Sequence, residues 1–322
     1  MFDKPEKAKA KMLEALSFTD PSGRLPRQYS LPKSEGDRPA MDLRPFIDQG
    51  VWVISTILTY LRLTKDYEFL FEDCGYYEIV DEDKHVAIKS DRVDSVFNHM
   101  IKIMDYLIIN RDMDDTKCVL ALYGDWNDAL DGLGKSLDPS QTYGTGVSVM
   151  ATLQVYQNLD EMTELFNQLE LTNKGQKVLK SSYDYTSLSS QYKVVQEEIK
   201  NGLFKHAIDG DRLIHGWGDK RSYKVGSLND PDGLSRDGLT SNAFWILSGL
   251  IKQDDFLVRK DMILQAYRRL DSKYGMKTFE PYFEKGTVGV GRIPNLPEGT
   301  AENGATYIHA SMFAVMSLFA VG

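Results

Sequence analysis

Apolar residues along this chain recur at three- and four-residue steps far more often than at every second position. Val51, Ile54, Ile57, Leu58 and Leu61 show it most cleanly, and that spacing predicts one apolar stripe on an amphipathic helix. Similar stripes predict helices over roughly 5–17, 91–110, 145–168, 171–204, 239–252, 256–270 and 305–320. Between them run long stretches rich in Gly, Pro, Asp and Asn, at 20–46, 123–144, 209–238 and 275–304. Stripe-free stretches of that length are as a rule functional or disordered. These carry Trp, Tyr and His, which disordered sequence lacks, so the functional surface is expected on loops held by a helical scaffold. One of them, GDRLIHGWGDKRSYKVGS at 210–227, alternates enough to predict a short hairpin. The rhythm of helix, long loop, helix predicts an all-α fold of helical hairpins arranged as a toroid. A single domain over 1–322 is expected, because no Pro/Ser-rich linker divides the chain.

Composition narrows the partners. Over 322 residues the hydrophobic fraction is 42% and the charged fraction 26%, enough apolar sequence for a large core. The net charge of −9 argues against a nucleic-acid partner, because binding phosphate backbones needs clustered Lys and Arg. No apolar stretch approaches the roughly 20 residues of a membrane span, and the opening MFDKPEKAKAKMLEAL is a charged amphipathic helix without a signal core. A cytoplasmic protein with no membrane partner is expected. Cys74 and Cys118 have no CxxC spacing and read as buried thiols. The five histidines lack HExxH or HxH spacing, so no metal site is expected. The last segment, ASMFAVMSLFAVG, is a strongly apolar helix with only Gly322 as a cap, which predicts a fragment, a homodimer or a complementing subunit.

Candidate chemistry concentrates at residues 123–132, YGDWNDALDG, directly after the apolar run VLAL. Asp125, Asn127 and Asp128 fit a turn feeding a helix N-cap, where such side chains accept backbone N–H groups. A calcium loop fits poorly, because Ala129 and Ser136 stand where an EF-hand needs oxygen ligands. The third reading is a sugar site. The Trp126 indole offers a flat apolar face to a pyranose, amide and carboxylate groups bond its hydroxyls, and one carboxylic acid protonates a glycosidic oxygen. An acid in that role must keep its proton near neutral pH, which partial burial beside an indole favours. A second stretch, PNLPEGTAENGATYIHA at 294–310, allows two readings: Asn303-Gly304 as a plain turn with His309 a core histidine at a helix start, or a polar loop serving a site.

The coexistence of GDWND with PxGxxENGxxYxHA resembles the cellobiose and chitobiose phosphorylases and the phosphorylase domain of cyclic β-1,2-glucan synthases, grouped as glycoside hydrolase family 94. SNAFWILSG at 241–249, LDSKYGMKTFEPYF at 270–283 and the Asp48 to Trp52 stretch of FIDQGVW are similar to further family segments, in the right order. The resemblance implies an (α/α)6 toroid and inverting phosphorolysis of a β-glucoside or oligosaccharide, with no cofactor and inorganic phosphate as co-substrate. It implies Asp128 as the general acid, Trp126 in the donor-sugar subsite and His309 on the phosphate. Asp125, Asn127, Asp48, Glu302 and Asn303 are the further sugar-binding candidates. The family's Gly-Phe-Arg-Asp and Trp-Leu-Thr-Gly segments and its opening β-sandwich have no counterpart here. Ala301 stands where familiar members have Lys or Arg, and Phe244 where they have Trp. The chain alone is therefore expected to be incomplete as a catalyst. Two alternatives stay open: an inverting hydrolase with Asp48 or Glu302 as base, and a non-catalytic carbohydrate-binding segment of a larger assembly.

Overall fold

The computed structural model describes residues 4–32, 34, 37–175 and 183–322. Among these, eight α-helices dominate, joined by antiparallel strand pairs, most of them two or three residues long, and four 3-10 turns. Chain contacts divide the protein into two compact units, Met1–Asn110 and Arg111–Gly322.

In the first unit, α1 (Pro5–Leu16) opens on a proline, whose missing N–H is no loss where the helix offers no acceptor. Strands β1 (Gln28–Ser30) and β2 (Ala40–Asp42) pair antiparallel inside the long loop that follows. Helix α2 (Gln49–Thr64) buries the stripe Val51, Ile54, Ile57, Leu58 and Leu61. Asp48 occupies the N-cap position without a side-chain cap bond. Its carboxylate, 2% exposed, instead accepts the Trp52 indole N–H at 2.8 Å and the Gln49 amide at 3.0 Å, stapling the first turn from outside.

The expected helix over 91–110 is corrected at its start. Residues Asp73–Asp81 (β3) and Val86–Ser95 (β4) form a hairpin, and α3 begins only at Val96, running to Ile109. Ser95 sets the boundary: its backbone is extended and its Oγ accepts the Asn98 N–H at 3.1 Å, an N-cap that satisfies a donor the helix cannot. The hairpin signal lay in YYEIV and VAIK, β-branched and aromatic runs either side of a polar turn.

In the second unit, strands β5 (Val147–Ser148), β6 (Ile208–Asp209), β7 (Arg212–Leu213), β8 (Gly216–Trp217) and β9 (Lys224–Val225) are two residues each. β6 and β7 form one hairpin and β8 and β9 a second, so the hairpin expected in 210–227 is present; β5 adds to the edge of β8. Helix α4 (Val149–Gly175) packs along α5 (Tyr185–His206), whose N-cap Asp184 accepts the Ser187 N–H at 2.9 Å. Of the helix expected over 171–204, residues 176–182 lie outside the described residues. Helix α6 (Leu239–Leu247) is buried on every side from 239 to 246, with α4, α7 (Phe256–Leu270) and α8 (Ile308–Val321) packed around it. It stops short of the expected 252 because Gly249 turns left-handed (φ 77°). Strand β10 (Asp237–Gly238) precedes α6; after α7, β11 (Asp271–Ser272) pairs with β12 (Gly275–Met276), and β13 (Phe279–Glu280) pairs back with β10.

The long loops of this unit are tied by buried charge. Arg236, with no exposed surface, pairs with Asp230 at 2.7 Å and Asp232 at 2.6 Å, donates to the carbonyls of Pro281 and Tyr282, and lies 3.8 Å from the Phe283 ring centroid. One guanidinium thus binds the 209–238 loop to the 275–304 loop, with each donor met by an oxygen. Both cysteines are buried as expected, and burial pushes the Cys74 thiol up to about 11 and the Cys118 thiol up to about 12. Among the described residues no helix is long and apolar enough to cross a membrane.

Candidate active site

The 123–132 loop enters from a bridge between Leu120 and Val147, so its start is fastened to the short sheet beside α4. From there burial alternates. Asp125 and Asn127 are buried, at 3% and 2% exposure, whereas Trp126 and Asp128 are partly open. The inward pair supports the turn: Asp125 Oδ1 accepts the Asn127 N–H at 2.8 Å and Oδ2 accepts the Ser148 hydroxyl. Ser148 Oγ in turn accepts the Ala151 N–H at 3.0 Å, in the first turn of α4. Asp125 therefore locks the turn to a helix N-terminus, where a negative charge is favourable.

Of the outward pair, Trp126 faces the loop at 294–310. The Trp126 indole donates to His309 Nδ1 at 3.1 Å, although the two residues are 183 positions apart. An indole N–H can only donate, so Nδ1 of His309 is the acceptor and the proton of the neutral ring sits on Nε2, ready to donate. Tyr307 stands edge-on to Trp126 with ring centroids 5.5 Å apart, and Phe313 lies 4.8 Å from the His309 ring. Phe244 of α6 packs on Phe313 at 5.3 Å, an aromatic backing for the cluster. His309 is the second residue of α8, so the N–H groups of that first turn lie close to it.

Arg292 binds the two loops directly. Its Nη2 donates to the Asp128 carbonyl at 2.6 Å, while Nε and the backbone N–H donate to the two oxygens of Asp131, both at 2.8 Å. The position of Asp128 is thus set by a backbone clamp as well as by the Asp125 turn. Asn303 is fully buried, and its amide accepts the Phe283 N–H at 2.7 Å and donates to the carbonyls of Phe283 at 3.0 Å and Leu296 at 2.9 Å. It holds the 275–304 loop in shape. The neighbouring Glu302 is partly open, and its carbonyl accepts the Thr278 hydroxyl at 2.7 Å. Asp48 belongs to the first unit, where it staples the start of α2.

The sequence profile of the "Glycosyl hydrolase 94 superfamily, catalytic domain" matches residues 5–322. The chain belongs to this family. Among curated proteins, solabiose phosphorylase of Paenibacillus borealis is 28% identical over 314 residues, 97% of this chain and 34% of that protein. Cellobionic acid phosphorylase of Neurospora crassa is 25% identical over 99% of this chain and 35% of that protein. N,N'-diacetylchitobiose phosphorylase of Vibrio furnissii is 24% identical over 83% of this chain and 28% of that protein. The chain spans about a third of the length of the curated relatives it matches. Among solved structures, the GH63 mannosylglycerate hydrolase from Thermus thermophilus, in complex with glucose, aligns with a TM-score of 0.56 at 13% identity, over 98% of this chain and 76% of that one. That likeness shows the fold, the (α/α)6 toroid that the family resemblance implies.

Within this glycosyl hydrolase 94 chain, three contributors escaped the sequence reading. Ser148, Arg292 and Asp131 carry no motif, because their partners are mostly backbone atoms or a carboxylate distant in sequence. The alternation of buried and open positions along Asp125-Trp126-Asn127-Asp128, two side chains supporting the turn and two open, is seen only in the structure.

Proposed function

We propose that the protein carrying this chain is an inverting glycoside phosphorylase that converts a β-linked glucose disaccharide or oligosaccharide and inorganic phosphate into an α-sugar 1-phosphate and a shortened acceptor. The observation that carries this reading is the 3.1 Å bond between Trp126 and His309, which joins the loop bearing Asp128 to the loop expected to contact phosphate. Membership of a family whose curated relatives are named as phosphorylases supports it.

In this mechanism the sugar ring stacks on the Trp126 indole, and the Asp128 carboxylic acid gives its proton to the glycosidic oxygen as that bond to the anomeric carbon breaks. A phosphate oxygen forms the new bond from the opposite face, so a β-linkage becomes an α-phosphate. The His309 Nε2–H donates to the phosphate and holds it in line. No protein base is required, because phosphate arrives as a nucleophile; Asp128 regains its proton from solvent before the next turnover. The use of inorganic phosphate and the charged product suit the cytoplasm, where we place the reaction. The reverse reaction tests the assignment. Supplied with α-glucose 1-phosphate and a panel of sugar acceptors, the full-length protein releases inorganic phosphate and forms a β-linked product with at least one acceptor; no phosphate release with any acceptor contradicts the reading.

A further inference from the structure

His215 is 1% exposed, and neither ring nitrogen has a hydrogen-bond partner among the described residues. Native proteins hold few such groups, and each calls for an explanation. The backbone is nevertheless shaped around this ring. A Cβ on Gly238 would stand 2.7 Å from His215 Nδ1, and one on Gly226, itself at φ +76°, would stand 2.8 Å from the His215 backbone nitrogen and 3.0 Å from its Cβ. Phe279 closes the niche, its ring centroid 4.8 Å away and edge-on. Two absent side chains and an aromatic ring thus fit the imidazole closely. An apolar residue would fill the same niche without leaving polar atoms unbonded.

Charge supplies what packing does not. Burial holds the His215 ring below its ordinary pKa, so it is neutral at neutral pH; Asp125, opposing this, is the charged group that acts on it. The backbone places both in one assembly. The Val149 N–H donates to the His215 carbonyl at 3.1 Å, the next residue, Gly216, pairs with Ser148 across β5 and β8, and the Ser148 hydroxyl donates to Asp125. In a dry interior a neutral imidazole dipole acts on a carboxylate beyond direct bonding distance.

We propose that His215 is a positioning residue for the acid-bearing turn: its imidazole, lodged in the glycine niche, orients the Asp125 carboxylate that holds Asn127 and Ser148, and thereby sets where Asp128 stands. It touches no substrate. What Asp128 does rests on the phosphorylase reading, but the action of His215 on Asp125 does not. Gln keeps a polar side chain in the niche where Phe does not.

The test uses the full-length protein. His215→Phe lowers kcat about tenfold, within the reach of misplaced catalytic groups, while KM for the sugar stays within about twofold. His215→Gln recovers most of the loss. In an Asp125→Asn background, His215→Phe has no further effect. Independently of turnover, ¹⁵N-histidine NMR shows the His215 ring shifts and titration midpoint changing on Asp125→Asn. Parent-like kcat in His215→Phe, or losses that multiply with Asp125→Asn, overturn the proposal. If His215→Phe does not fold, unchanged His215 shifts and midpoint in Asp125→Asn overturn it instead. A parent that shows no phosphorolysis sinks the phosphorylase reading, and the NMR comparison still decides the role of His215.

Discussion

Asp128 and His309 carry separate steps of the proposed chemistry, and substitution separates them. Asp128→Asn keeps the shape and much of the hydrogen bonding of the side chain but delivers no proton. In the full-length protein kcat should fall by about 10²–10⁴-fold with little change in KM for the sugar, because the loss is confined to the transition state. Steady-state kinetics checks it, and equal turnover removes Asp128 from the mechanism. His309→Ala removes the Nε2–H donor and leaves the Trp126 indole without its acceptor. KM for phosphate should rise about tenfold, the scale of one hydrogen bond to a charged partner, with a smaller change for the sugar. A phosphate KM that does not move would place the anion elsewhere. At this scale the sequence disclosed the motifs but not their division of labour. That Asp125 and Asn127 turn inward follows from Ser148 and the Asn127 N–H, contacts that exist only once β5 lies beside the loop.

Loops long enough to suggest disorder are here held like secondary elements, by side chains bonded to backbone. Asn303 binds both backbone groups of Phe283 and the carbonyl of Leu296, clamping the two arms of the 275–304 loop. Asn303→Ala leaves three backbone groups unpaired, two of them buried, and chemical denaturation should show a loss of about 2–3 kcal/mol with an unchanged m-value. A loss below about 0.5 kcal/mol would show that the loop does not depend on the clamp. The helices were legible because their stripes are local: α2, α7 and α8 lie close to where the spacing places them. The β3–β4 hairpin was obscured because Val93 continues the apolar spacing of α3 backwards past its true start, and the cap at Ser95 outweighs that spacing. Arg292 and Asn303 were not legible as clamps, since a carbonyl partner leaves no trace in residue type.

Across the whole molecule, three histidines, His99, His206 and His215, are held below their ordinary pKa chiefly by burial. An unfolded histidine takes up its proton as pH falls through about 6.5, whereas these take it up only at lower pH. In that window the unfolded chain binds more protons, so their contribution is fully present above about 6.5 and is lost as pH falls through the folded values. The melting temperature should therefore drop between neutral and mildly acidic pH, and His215→Phe should flatten that slope. A melting temperature that rises on acidification would contradict the assignment of these rings as held below their ordinary pKa. The family match runs from residue 5 to 322, so membership of the family is a property of the whole sequence. The rhythm of stripes and long loops conveyed the helical, toroidal class, and two short motifs conveyed the family.

The central claim is that phosphate, not water, attacks the sugar. The full-length protein is given a β-linked glucose disaccharide with and without inorganic phosphate, and the products are followed by ¹H and ³¹P NMR. The account predicts α-glucose 1-phosphate, formed with inversion and only when phosphate is present. Free glucose from the donor side, released at equal rates with and without phosphate, would contradict it and make the protein a hydrolase.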